Sequence, residues 1–292
     1  LGTAGIATVS TGSPARDAQL KANGWMGLGI AVAALAAFGA GIATGFLPVT
    51  TNQLVSSYGY LLLAITIGFF AWLFLATKWT EAERKRLVLI VVFFLAACLF
   101  WGVFEQAGST LNLFADRSTN NAVLGYDFPS SWWQSLNAMF IFIFAPVFAW
   151  LWVNLGRREP STPTKFALGL IGVGLGFLVL VPGAQLAMGG AKVGVSWLFM
   201  VYLIHTLGEL CLSPVGLSAM TKLAPERIVG QVMGIWFLGA SVGNYLGGQA
   251  ASFYETMELP TLLAAVAILP IVAGLGMLVA RKRLTHLGGD RL

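Results

Sequence analysis

Eight runs of about twenty predominantly apolar residues recur along this 292-residue chain, at about 25–44, 58–77, 86–110, 132–154, 166–187, 195–220, 229–253 and 260–280. A stretch of that length is what a helix needs to cross the hydrocarbon core of a bilayer. Backbone in lipid finds no water to bond, so runs this long must satisfy their own N–H and C=O groups as helices. The expected fold is an all-α membrane protein with eight transmembrane helices. Charged residues make up only 10% of the chain, against about 25% in a soluble domain.

The charges that remain set an orientation. Of the 17 Lys and Arg residues, all except Arg117 and Lys192 fall at the two ends or on alternate connections. An excess of Lys and Arg marks cytoplasmic loops, which places both ends of the chain in the cytoplasm. The positive charge is scattered over loops instead of gathered on one face, so nucleic acid is not an expected partner. Arg16 and Lys21 precede the first apolar run, and no signal-peptide architecture is visible. Because the chain starts at Leu1, it is expected to be one part of a longer polypeptide. Cys98 and Cys211 sit mid-helix without CxxC spacing, so neither a metal site nor a cofactor is expected.

Two acids stand out against this background. Glu105 ends the run that starts at Leu87, and Glu209 lies within the run that starts at Val195. A charged side chain at the centre of a membrane helix costs about 2.5–3.5 kcal/mol on insertion scales. No basic side chain lies at comparable depth along the sequence, so the partner must be a proton, a substrate, or protein outside this chain. That points to transport and away from an enzyme.

Helical spacing gives each acid a face. Trp101, Glu105, Gly108 and Asn112 would line one side of the third helix, and Tyr202, Thr206, Glu209 and Ser213 one side of the sixth. Pro214 removes a backbone donor from the sixth helix and favours a kink there. His205, one residue off that face, reads as a packing residue. Asn137 is the buried amide of the fourth helix and can donate to a carboxylate, or serve as interhelical glue. In the seventh helix Gly230 and Gly234, and Gly239, Gly243 and Gly247, have the spacing of close helix packing. Trp236 among them is a candidate to face a cavity. Gly172, Gly174 and Gly176 lie inside an apolar helix with no strand before them, so they are no dinucleotide loop.

Several strings resemble one family. Phe100–Ala115, FWGVFEQAGSTLNLFA, is similar to the seventh-helix motif of the proton-dependent oligopeptide transporters of the major facilitator superfamily. Gly208–Ser218, GELCLSPVGLS, followed by TKLAP at 221–225, resembles the family's tenth helix. MGIWFL at 233–238 resembles the eleventh and QSLN at 134–137 the eighth. The family's first-helix Glu-x-x-Glu-Arg motif and its fourth-helix lysine have no counterpart here.

The resemblance implies a bacterial protein of the cytoplasmic (inner) membrane that crosses it repeatedly and imports di- and tripeptides with protons as the coupling ion. Its organisation would be a cytoplasmic segment 1–24, an accessory hairpin 25–80, a six-helix C-terminal bundle 81–284 and a cytoplasmic tail 285–292. The partner would be an N-terminal six-helix bundle of the same polypeptide, absent from this chain. Carried over by motif, Glu209 would hold the peptide amine, Asn137 would contact its backbone, and Ser213 would lie beside the site. Trp101 and Trp236 would wall side-chain pockets, and Glu105 would belong to the proton-coupling or salt-bridge network. Ala240 offers no hydroxyl one turn beyond Trp236, and Asp116 is a candidate for an external gate. Two alternatives stand beside this reading: a carrier for another small solute such as nitrate, and a non-transporting receptor or scaffold. Buried acids argue against the anion carrier.

Overall fold

The structure, a computed structural model, describes residues 14–123 and 125–291. Residues 1–13 of the expected N-terminal segment lie outside the described residues, as do Leu292 of the tail and the side chains of Arg16 and Lys21. The chain divides into two compact units, one up to Tyr58 and one from Gly59 onward.

The first unit holds α1 (Pro14–Ala43) and the start of α2 (Thr51–Ala71). Helix α1 stops at Gly45, whose φ of 72° lies in the left-handed region that ends helices and suits glycine. Helix α2 begins on a reciprocal cap. Thr50 Oγ1 accepts from the Gln53 N–H at 3.3 Å, and Gln53 Oε1 accepts from the Thr50 N–H at 2.9 Å.

The second unit carries the rest of α2, which passes into a π-helical turn at Trp72–Ala76. Thr80 then caps α3 (Glu81–Phe104) in a capping box with Glu83. The third expected span is not one helix. After Phe104 the chain tightens into a 3₁₀ turn at Glu105–Gly108, turns at Ser109 (φ −122°, ψ −90°), and resumes as the short α4 (Thr110–Ser118). A two-stranded hairpin follows, with β1 (Ala122–Val123) antiparallel to β2 (Tyr126–Asp127). Then come α5 (Ser135–Leu155), α6 (Thr162–Ala187), α7 (Ser196–Leu223), α8 (Val229–Ala251) and α9 (Leu259–Gly288).

Each of the eight expected spans thus has its helix. Among the described residues seven spans are long and apolar enough to cross a membrane, with Glu81–Ser118 taken as one. The other is α8, whose 23 residues would reach about 34 Å. Gln231, Ser241, Asn244 and Gln249 and its six glycines, counted along the helix as Gly230, Gly234, Gly239, Gly243, Gly247 and Gly248, lower its apolar content.

Glycine decides how these helices approach one another. Lipid supplies no hydrophobic drive for helix association, so small residues that let backbones touch do much of the work. The glycines of α6 face two neighbours. A Cβ on Gly169 would come 2.9 Å from the Gly208 carbonyl of α7, and one on Gly174 would come 2.6 Å from the Ala267 carbonyl of α9. Helix α3 meets α8 in the same manner, since a Cβ on Gly102 would lie 2.9 Å from the Gly243 carbonyl. Gly239, Gly243 and Gly247 therefore pack as their spacing predicts. Gly230 and Gly234 do not, because nothing lies within 4 Å of where their Cβ atoms would be. Large side chains fill the rest of the core, with Phe93 stacked on Phe166 at 4.2 Å between ring centres.

Candidate functional site

Residues of α3, α5, α6, α7 and α8, and of the connection between α5 and α6, line a cavity of about 1130 Å³. That is slightly beyond the usual range for small-molecule sites, about 300–1,000 Å³. Trp101, Glu105, Glu209, Ser213 and Trp236 all line it. These five expected site residues come from three separate stretches of the sequence, and the packing of α3, α7 and α8 against one another brings them to one space.

Glu105 lines the cavity one turn beyond Trp101, at the point where the helix breaks. Buried Gln106 spans the break, donating from Nε2 to the Gly102 carbonyl at 3.3 Å and accepting from Thr110 Oγ1 at 2.8 Å. Irregular backbone at membrane depth persists where protein buries it or a cavity borders it, and both conditions hold here. The break also ends the continuous polar face expected of the third helix. Gly108 and Asn112 do not line the cavity, and Asn112 Oδ1 is buried without a hydrogen-bond partner.

Glu209 is held from the neighbouring helix. Asn137 on α5 donates from Nδ2 to Glu209 Oε2 at 2.9 Å and to Thr206 Oγ1 at 3.1 Å. Asn137 does not itself line the cavity; it meets the site through Glu209. Helix α7 runs unbroken through Pro214, which lies on the cavity wall with Leu210, the residue whose carbonyl the proline leaves without its usual helical donor. His205 points the other way and is fully packed. Its Nε2 lies 3.0 Å from the Val173 carbonyl, and its ring meets Phe177 and Phe104. It ties α6 to α7, in keeping with the packing role its position predicts.

The two tryptophans differ. Trp236 is 4% exposed, sits over Gly216 of α7 and meets the edge of Phe166 at 6.2 Å. Trp101 is half-buried and T-shaped against Phe104, 5.4 Å between centres. Ala240 presents a methyl group to the same wall.

Three features were missed by the sequence reading. Lys165, assigned there to a loop, is in the first turn of α6 and only 6% exposed. It lines the same cavity, pairs with Glu159 at 2.5 Å and lies 4.3 Å from the centre of the Trp152 ring. A cation does therefore stand on this wall, with its ammonium over an indole from the preceding helix. Glu105 and Glu209 take no part in an ion pair among the described residues. At the other end of the third span, exposed Asp116 forms no ion pair among the described residues, and its carbonyl accepts from Lys192 Nζ at 3.2 Å. The pair at that rim is its neighbour Arg117 with Glu255, at 2.6 Å, and the guanidinium also lies 5.6 Å from the centre of the Tyr254 ring. Burial raises the Tyr254 phenol above its ordinary pKa. The third feature is the bond of Thr206, which spacing had placed on the Glu209 face: it is completely buried and accepts from Asn137.

Proteins named as peptide transporters are among those this chain resembles. A profile described as the POT family matches residues 42–266. The peptide transporter YePEPT of Yersinia enterocolitica is 40% identical over 238 residues, which is 79% of this chain and 47% of that protein. A di-/tripeptide transporter of Lactococcus lactis subsp. cremoris is 30% identical over 243 residues, 82% of this chain and 49% of its own length. Among solved structures, the peptide transporter POT in complex with sulfate superposes with a TM-score of 0.80 at 38% identity, covering 94% of this chain and 55% of that one. The chain spans about half the length of the curated relatives it matches. The matched profile covers most of the chain, and the chain belongs to the POT family.

Proposed function

We propose that this chain is the C-terminal half of a secondary active transporter that imports di- and tripeptides by proton symport, through alternating access of two bundles. The observation that carries this reading is Glu209: a carboxylate on a cavity wall, oriented by Asn137 and without a cation of its own. An acid held in that way favours a ligand ammonium, since an opposite charge within a few ångströms stabilises it. The names of the matched relatives, a peptide transporter and a di-/tripeptide transporter, agree with that chemistry.

In this reading Glu209 receives the peptide amine, Asn137 contacts the backbone beside it, and Ser213 lines the site. Trp101 and Trp236 wall the side-chain pockets, and Glu105 carries the proton coupling. The cationic partners of the two acids belong to an N-terminal six-helix bundle of the same polypeptide. Residues 81–284 form the matching bundle, and 25–80 an accessory hairpin. Asp116 marks the external rim. The protein resides in a bacterial inner membrane with both ends of this chain in the cytoplasm, uses protons and no other cofactor, and catalyses no covalent chemistry.

The test is dipeptide uptake by the full-length polypeptide reconstituted in vesicles. An inward proton gradient should drive accumulation above the external concentration. Uptake indifferent to the gradient would remove proton symport, and no dipeptide uptake at all would remove the substrate class.

A further inference from the structure

We infer that the cleft between the start of α3 and the end of α9 binds the phosphate of an anionic phospholipid, held by the guanidinium groups of Arg86 and Arg291. Such a site is independent of what the transporter carries.

The two arginines reach one space by different routes. Arg86 stands in the second turn of α3. Arg291 follows the end of α9, where Gly289, with a φ of 57° in the left-handed region that suits glycine, turns the chain. Glu81, Lys85, Arg86, His286 and Arg291 line the resulting cleft, about 620 Å³ in volume.

The charges of this cleft do not cancel. Glu81 is the one acid among the described residues that line it, and Lys85 holds it at 2.6 Å, one turn along α3. Arg86 and Arg291 form no ion pair among the described residues. Arg86 Nε is moreover buried without a hydrogen-bond partner, a donor shut off from water. Leaving such a donor unmade is costly, so the position favours an acceptor. Glu83, which shares the neighbouring cleft with Arg86, is engaged by Thr80: its Oε2 accepts from the Thr80 N–H and hydroxyl at 2.9 Å each. With Glu81 set against Lys85, two guanidinium groups remain. Each is a planar fork that matches a phosphate with two parallel N–H···O bonds. A zwitterionic headgroup would bring its own cation into that surplus and is disfavoured.

The helices below the cleft identify what the phosphate is attached to. On α3, Glu81, Lys85, Val88, Val92 and Leu95 follow one face at spacings of four, three, four and three. On α9, Val272, Leu275, Val279, Lys282 and His286 follow one face in the same way. Val88, Leu95, Val272, Leu275 and Val279 are exposed, Val279 at 87%. The two helices are packed together, and α3 leaves the cleft where α9 arrives. Each apolar face thus begins at a residue that lines the cleft and runs away from it along a membrane span. Acyl chains would lie on these faces, whereas a free phosphate makes no use of them. Basic pockets between the ends of transmembrane helices are suited to anionic headgroups.

Native mass spectrometry of the purified full-length protein, titrated in detergent with phosphatidylglycerol or with phosphatidylcholine of the same chains, tests the site. The wild type should bind phosphatidylglycerol more tightly. Arg86→Gln and Arg291→Gln should each weaken that binding about tenfold, the scale of one hydrogen bond to a charged group, and leave phosphatidylcholine unchanged. Arg291 is exposed, so Arg291→Gln carries the test if Arg86→Gln does not fold. Arg157→Gln removes an equal charge from the connection between α5 and α6 and should change nothing. Equal binding of the two lipids by the wild type would overturn the site, as would a loss in Arg157→Gln as large as in the cleft variants. A thermal shift produced by inorganic phosphate alone, and lost in both cleft variants, would transfer the site to free phosphate and overturn the lipid assignment.

Discussion

Lys165 Nζ lies 2.5 Å from Glu159 Oε1, and the tryptophan ring of Trp152 covers the ammonium on its other side. The two partners are not equally placed, because the lysine side chain is 7% exposed and the glutamate 42%. Removing one partner of a buried pair leaves the other without compensation, and here only Glu159 can fall back on water. Glu159→Gln should therefore destabilise the protein more than Lys165→Met, by about 1–3 kcal/mol against less than about 1. The double variant should recover most of the loss. Thermal unfolding of the four proteins in detergent measures this, and additive losses would mean that the contact contributes nothing.

The seam between α3 and α8 predicts a contrast among glycines of one helix. At Gly243 an added Cβ would meet the Cys98 carbonyl and the Gly102 nitrogen of α3, groups that cannot swing aside. Gly243→Ala should cost about 1–3 kcal/mol, the usual penalty for overpacking. Gly234→Ala, with open space around the new methyl, should be neutral or slightly stabilising, since alanine is the better helix former. Melting temperatures that fall equally for both would show that the seam does not hold the helices together.

Replacing the carboxylate of Glu209 by an amide keeps its shape and removes its charge. Glu209→Gln should weaken binding of a free dipeptide by about 2–5 kcal/mol, the range for breaking one such pair. Acetylating the dipeptide amine removes the same attraction from the ligand. The two changes should be strongly non-additive in a calorimetric cycle. If the variant loses as much affinity for the acetylated peptide as for the free one, Glu209 does not read the amine.

Glu105 is separated from that role by its position at the break. Glu105→Gln in the full-length protein should abolish proton-driven accumulation while leaving counterflow of peptide down its own gradient. Uphill uptake at the wild-type rate would exclude Glu105 from coupling.

Length and apolar content made the spans legible, because the bilayer imposes one physical requirement on each. Local spacing also placed Trp101, Glu105, Glu209, Ser213 and Trp236 on faces that do converge. What failed was whatever depended on a second helix. The break after Phe104 is an exception: it falls in the polar stretch Glu105–Thr110, where Gly108 and Ser109 are breakers, and the apolar residues before it carried the reading through. Lys165 read as a loop cation because nothing in its own neighbourhood announces Trp152 as a lid. Gly230 and Gly234 share the spacing of Gly239 and Gly243, yet spacing says nothing about which face of α8 a neighbour covers. Thr206 was placed on the right face, but its bond from Asn137 was not foreseen, because that amide lies 69 residues away.

The 3₁₀ turn at Glu105–Gly108 has a mechanical consequence. Below it, Gly102 is locked backbone to backbone against α8. Above it, α4 is moored to other connections: Arg117 holds Glu255, and the Ser118 carbonyl accepts from the Val193 N–H at 2.8 Å. Two anchored rods joined by four residues of weaker backbone pairing form a swivel, and torsion applied to either rod is relieved at the joint. The acid sits at that joint, so torsion relieved there would re-aim one carboxylate while leaving the seam of glycines in place.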